Sequence, residues 1–177
     1  SSTLKEINTY TTDMEKYSLD RSVAFTLPVE PQIKELKVFV SSSEDTNLKI
    51  SWYSTGKPQN YIPDSQIGEQ IIKVEKNFVG WKTININWQP SRPQNIFVIV
   101  GKNESCSLYL GHQEFAGILS YVNDPIQELS QPELHDYSRE SPLLYWTNQS
   151  INRRNFAFKV DKTDAYSISK ITNGYVR

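Results

Sequence analysis

GWKTININWQPSRPQNIFVIVGK, residues 80–102, is the stretch that decides the fold class. Trp81, Thr83, Asn85 and Asn87 alternate with Lys82, Ile84, Ile86 and Trp88, the two-residue period that sends successive side chains to opposite faces of a strand. Residues 89–94 then place Pro90 and Pro93, which cannot donate to a ladder, and so mark a connection. Residues 95–100 are nearly all apolar and rich in β-branched side chains, as in a strand buried on both faces. Together the two runs predict a β-hairpin at the centre of an all-β domain. Trp81 and Trp88 fall on opposite faces of the first run, so one ring should point inward and the other outward.

Outward from that stretch the same period recurs. Upstream, Val23, Phe25 and Leu27 share a face in a strand over 22–27 that Pro28 closes. Leu36, Val38 and Val40 share one over 33–41, and Leu48, Ile50 and Trp52 one in a half-buried strand. A long loop over 55–66 follows, then a strand over 68–75. Downstream come strands over 107–110, 115–122, 143–147 and 155–160, with a proline-interrupted segment at 123–141. Turn signals about every ten residues predict an antiparallel β-sandwich of the jelly-roll kind with about eight to ten strands. Residues 1–20 read as a lead-in or edge strand, 21–162 as the sandwich, and 163–177 as an extension toward a following module.

Composition narrows the function classes. A net charge of −1 offers no basic field for nucleic acid and no polybasic anchor for a membrane. No apolar run approaches the roughly 18 residues that a membrane-spanning helix needs. The single cysteine, Cys106, allows no internal disulfide and reads as a small buried hydrophobe. Residues 1–10 lack the regions of a signal peptide and start without methionine, which predicts a piece of a longer or processed protein. No GxSxG elbow, HExxH helix, phosphate loop or GxGxxG occurs, and with only His112 and His135 present no enzyme activity is expected. His112 and Glu114 share a turn, but two ligands are too few for zinc.

Gly80-Trp81 opening a strand, the proline turn, and Asn95-Ile96-Phe97-Val98-Ile99-Val100 together resemble accessory domains with the galactose-binding-like β-sandwich fold. The run Leu144-Tyr145-Trp146, leading through Arg153-Arg154 to Asn155-Phe156-Ala157-Phe158, adds to the likeness. The resemblance implies a module of a bacterial multidomain carbohydrate-active or cell-surface protein, extracellular, with glycan as ligand. Domains of this kind often carry one structural calcium, which the resemblance leaves open here, and the sequence names no metal ligands. The tail 171–177 also resembles the entry to a further module.

Sugar binding calls for aromatic rings to meet the C–H face of a pyranose and planar polar groups to meet its hydroxyls. If all strands are antiparallel, the loops near 55–66, 89–94, 111–114 and 148–153 share one end of the sandwich. That end collects Tyr61, Arg92, His112, Asn148, Gln149 and Arg153, with Trp146 at the strand mouth, and these make the candidate glycan site. The opposite end collects 42–46, 76–79, 103–105 and 123–141. The leading expectation is therefore a non-catalytic carbohydrate-binding or substrate-targeting module. The alternative is a structural spacer or protein-interaction sandwich packed against neighbouring domains, with an apolar patch on one sheet face.

Overall fold

The computed structural model describes residues 5–29, 33–55, 63, 65–88, 94–111, 119–125, 144–148, 151–152 and 154–162. They form an antiparallel β-sandwich of thirteen strands with no α-helix among the described residues. In order these are β1 (Lys5–Asn8), β2 (Glu15–Ser18), β3 (Val23–Val29), β4 (Glu35–Ser42), β5 (Thr46–Ser54), β6 (Gln66–Val74) and β7 (Val79–Asn85). Then follow β8 (Gln94–Val100), β9 (Cys106–Gly111), β10 (Ser120–Pro125), β11 (Leu144–Thr147), β12 (Asn155–Phe156) and β13 (Phe158–Lys162). One sheet has seven strands in the order β1-β13-β4-β9-β12, with β2 on β9 and β7 on β4; the other has six, β11-β10-β3-β8-β5-β6.

The core lies between the sheets and takes the faces the alternation predicts. Val23, Phe25 and Leu27, Leu48, Ile50 and Trp52, and Ile96, Val98 and Val100 of the six-stranded sheet are fully buried. Leu36, Val38, Val40, Leu108, Leu110, Phe156 and Phe158 of the seven-stranded sheet face them. Phe25 and Phe158 stack across the gap, with centroids 4.5 Å apart and planes 9° apart. Trp88 points inward onto Trp52 at 5.5 Å, and Trp81 points outward. Gly68 makes room for the pair, since a Cβ there would stand 2.8 Å from Trp88 Cδ1.

The hairpin expected over 80–102 does not form. β7 pairs with β4 in one sheet, while β8 pairs with β3 and β5 in the other, so the proline-bearing connection carries the chain between sheets. The physical reason is backbone pairing in a buried strand. β8 hides Ile96 and Val98 on one face and Phe97 on the other, so its N–H and C=O groups cannot turn to water and are met by β3 on one edge and β5 on the other; β7 is half exposed and serves as an edge. The strand expected to stop at Pro28 runs on to Val29, where β8 is its one strand neighbour among the described residues. The run 155–160 divides at Ala157. β12 is antiparallel to β9 and β13 to β4, and because β4 and β9 are themselves antiparallel the chain reverses there.

Cys106 is buried at the start of β9, and burial pushes its thiol above the ordinary range despite a hydrogen bond from Ser42. The native chain is therefore expected to resist a disulfide exchange reagent at neutral pH and to release its single thiol only on denaturation. A native thiol as reactive as free cysteine would contradict the placement.

Candidate functional site

Because Leu36, Val38 and Val40 face the core, the intervening Lys37, Phe39 and Ser41 of β4 face outward. The same parity turns Trp81 and Thr83 of β7 outward, and Ser107 and Tyr109 of β9. Phe39 and Trp81 are cross-strand partners, which brings three rings from three neighbouring strands onto one sheet face. Phe39 meets Trp81 edge-on at 5.3 Å and Tyr109 edge-on at 5.1 Å. Tyr10, just past β1, leans over both Phe39 and Trp81 at 5.8 Å and is 40% exposed. Lys159 of β13 sets its ammonium 4.3 Å from the Trp81 ring centroid, a cation–π contact.

Beside this array the face dips into an open hollow of about 410 Å³ bounded by Lys16, Ser41, Asn77, Glu104, Ser107 and Tyr109. Two of its hydroxyls are tied to each other, and the backbone of Asn77 is held in place. Tyr109 Oη donates to Ser41 Oγ at 3.1 Å, and the Asn77 backbone N–H donates to the Ser42 carbonyl at 2.9 Å. Asn77 takes a left-handed φ of 67°, a conformation asparagine tolerates, and this draws the β6–β7 turn against the β4–β5 turn. Asn103 Nδ2 completes the gathering by donating to the Asn47 carbonyl at 2.9 Å. The turns at 43–45, 75–78 and 101–105 thus meet at one end of the sandwich. Aromatic surface on the sheet face thus adjoins a hollow that carries hydroxyl, amide and ammonium groups, the combination a sugar ring requires. Among the described residues no three of His, Cys, Asp or Glu gather as a metal site.

Of the residues expected from the sequence, Tyr61, Arg92, His112, Gln149 and Arg153 lie outside the described residues. Trp146 and Asn148 are described, on β11 and its exit. Trp146 is half-buried on the outer face of the six-stranded sheet, edge-on to Phe97 at 5.4 Å, in a cluster with Ala24 and Tyr121. It stands on the other sheet from Trp81. Phe39 and Tyr109 were not legible as site residues, since each sits inside an apolar run and their meeting depends on cross-strand register. Trp81 carried the one local signal, its opposite parity to Trp88.

No family model matches the chain, and no curated protein matches it. Among solved structures, the clostridial cysteine protease Cwp84 C116A after propeptide cleavage superposes with a TM-score of 0.57 at 12% identity, over 91% of this chain. The chain spans 40% of the length of that structure. The likeness establishes the shared fold: a β-sandwich that in the neighbour forms part of a longer chain.

Proposed function

We propose that this chain is a non-catalytic carbohydrate-binding or substrate-targeting module of a larger extracellular bacterial protein, and that glycan docks on the outer face of the seven-stranded sheet. The observation that carries the reading is the array of Tyr10, Phe39, Trp81 and Tyr109, which leaves rings on a sheet face instead of in the core. A pyranose lies over Tyr10 and the open part of Trp81, and Lys159 swings aside to donate to a hydroxyl or carboxylate. The size of the neighbour, in which a similar sandwich is one part, supports the accessory role.

The test is a glycan array with the 177-residue chain, run with and without calcium, on wild type and on Trp81→Ala, Tyr10→Ala and Trp146→Ala. Base-stacking platforms lose about 1–3 kcal/mol per ring by alanine substitution, and a comparable loss for Trp81→Ala means on the order of tenfold or more in affinity. Loss in Trp146→Ala alone moves recognition to the loop end that holds Asn148. Absence of any glycan binding favours the spacer reading. That reading has its own observation in the apolar outer face of the six-stranded sheet, where Ile99, Leu119 and Trp146 pack around Phe97 and Tyr121.

A further inference from the structure

β6 ends the six-stranded sheet, and among the described residues β5 is its one strand neighbour. It is nine residues long, against four for β11 at the sheet's other end. Long, flat, apolar edges are what folded proteins avoid by shortening, bending or covering the last strand. Here Ile67, Glu69, Ile71 and Lys73 all face solvent, and Ile71, at 64% exposed, is the most exposed large apolar side chain described.

The backbone of this edge also points off the sheet, with Asn87 standing at its Glu69 end. Asn87 Nδ2 donates to the Glu69 carbonyl at 3.3 Å from the side away from β5, so that carbonyl is aimed off the sheet. Ladder groups alternate along a strand, which aims the N–H and C=O of Ile71 and Lys73 off the same edge. The Glu69 carbonyl retains a second lone pair for a further donor.

We propose that two copies of the chain pair antiparallel through β6 about a two-fold axis at Ile71, joining their six-stranded sheets into one. The side chains are self-complementary in that register. Ile71 meets Ile71 of the second copy, and Glu69 stands opposite Lys73 on both sides of the axis. The odd-numbered residues are the ones whose backbone groups face the edge, so the pairs 71 with 71 and 69 with 73 exchange hydrogen bonds directly. Within one copy Lys49 reaches Glu69 at 3.0 Å, and a carboxylate with two oxygens accepts from both cations.

The experiment is sedimentation velocity over a concentration series on the 177-residue chain, with far-UV circular dichroism to confirm the fold of each variant. Wild type is expected to dimerise reversibly. Lys73→Glu and Glu69→Lys each place like charges opposite one another twice and are expected to raise the dissociation constant by about tenfold or more. An equimolar mixture of the two variants is expected to restore the dimer, because each Lys then faces a Glu. A wild type that stays monomeric throughout the series, a dimer indifferent to both substitutions, or folded variants whose mixture remains monomeric would each overturn the pairing.

Discussion

Trp52→Ala is expected to be the most costly single substitution described, at about 3–5 kcal/mol of stability, the range for emptying a buried Trp or Phe site. Trp52 is fully buried in β5 and holds two side chains in place. Its ring supports Trp88, which lies over the seam between the two sheets. Its indole N–H donates to Gln70 Oε1 at 3.0 Å, and that amide accepts from the Asn87 backbone at 3.3 Å while its nitrogen donates to the Asn85 carbonyl. Gly68 leaves the space into which Trp88 fits, so removal of Trp52 opens a cavity lined by groups that cannot all move into it. Urea unfolding followed by circular dichroism measures the loss as a lower midpoint at an unchanged slope. Trp88→Ala, at a half-buried site, is expected to cost clearly less; equal costs would mean that the seam, not the core ring, supplies the stability.

The alternation that exposes such a residue to reading is local, and that explains what the sequence does and does not disclose. Leu48, Ile50 and Trp52 show their common face because a strand's period is two and one face is buried. Periodicity names the face of a strand but not its neighbour. Residues 81–88 and 95–100 looked like partners because they are consecutive and strand-like, yet β8 buries both faces and takes partners from β3 and β5, far away in sequence. The site has the same limit. Phe39 and Tyr109 meet because β4 lies between β7 and β9, and no spacing within either segment encodes that. The division at Ala157 is harder still, since 155–160 alternates like a single strand and what splits it is a contact with Thr9.

That contact sets the second large effect: Thr9→Val is expected to destabilise by about 1–3 kcal/mol for each polar group it leaves buried without a partner. Thr9 is 1% exposed, and its hydroxyl sits inside the reversal. It donates to the Phe156 carbonyl at 2.7 Å and accepts from the Phe158 N–H at 2.8 Å, while the Thr9 backbone N–H donates to the Phe158 carbonyl at 2.9 Å. Where the chain turns back between β4 and β9, ladder partners run out. Ala157 itself bridges the gap, donating to the Tyr109 carbonyl and accepting from the Phe39 N–H. Thr9 supplies the bonds that strand pairing leaves unmade. It can approach because Gly111 lacks a side chain, since a Cβ there would stand 3.0 Å from the Thr9 carbonyl. Valine keeps the shape and removes the hydroxyl, so the cost reads the hydrogen bonds more than the packing. Thr9→Ser, which keeps the hydroxyl, is expected to recover most of the loss, and Thr9→Val is expected to speed hydrogen exchange at the Phe158 amide. If valine costs less than about 0.5 kcal/mol, the ordinary range for an inert surface change, then packing of Phe156 and Phe158 alone holds the reversal. Thr9 and Trp52 share no described partner, so the two losses are expected to add.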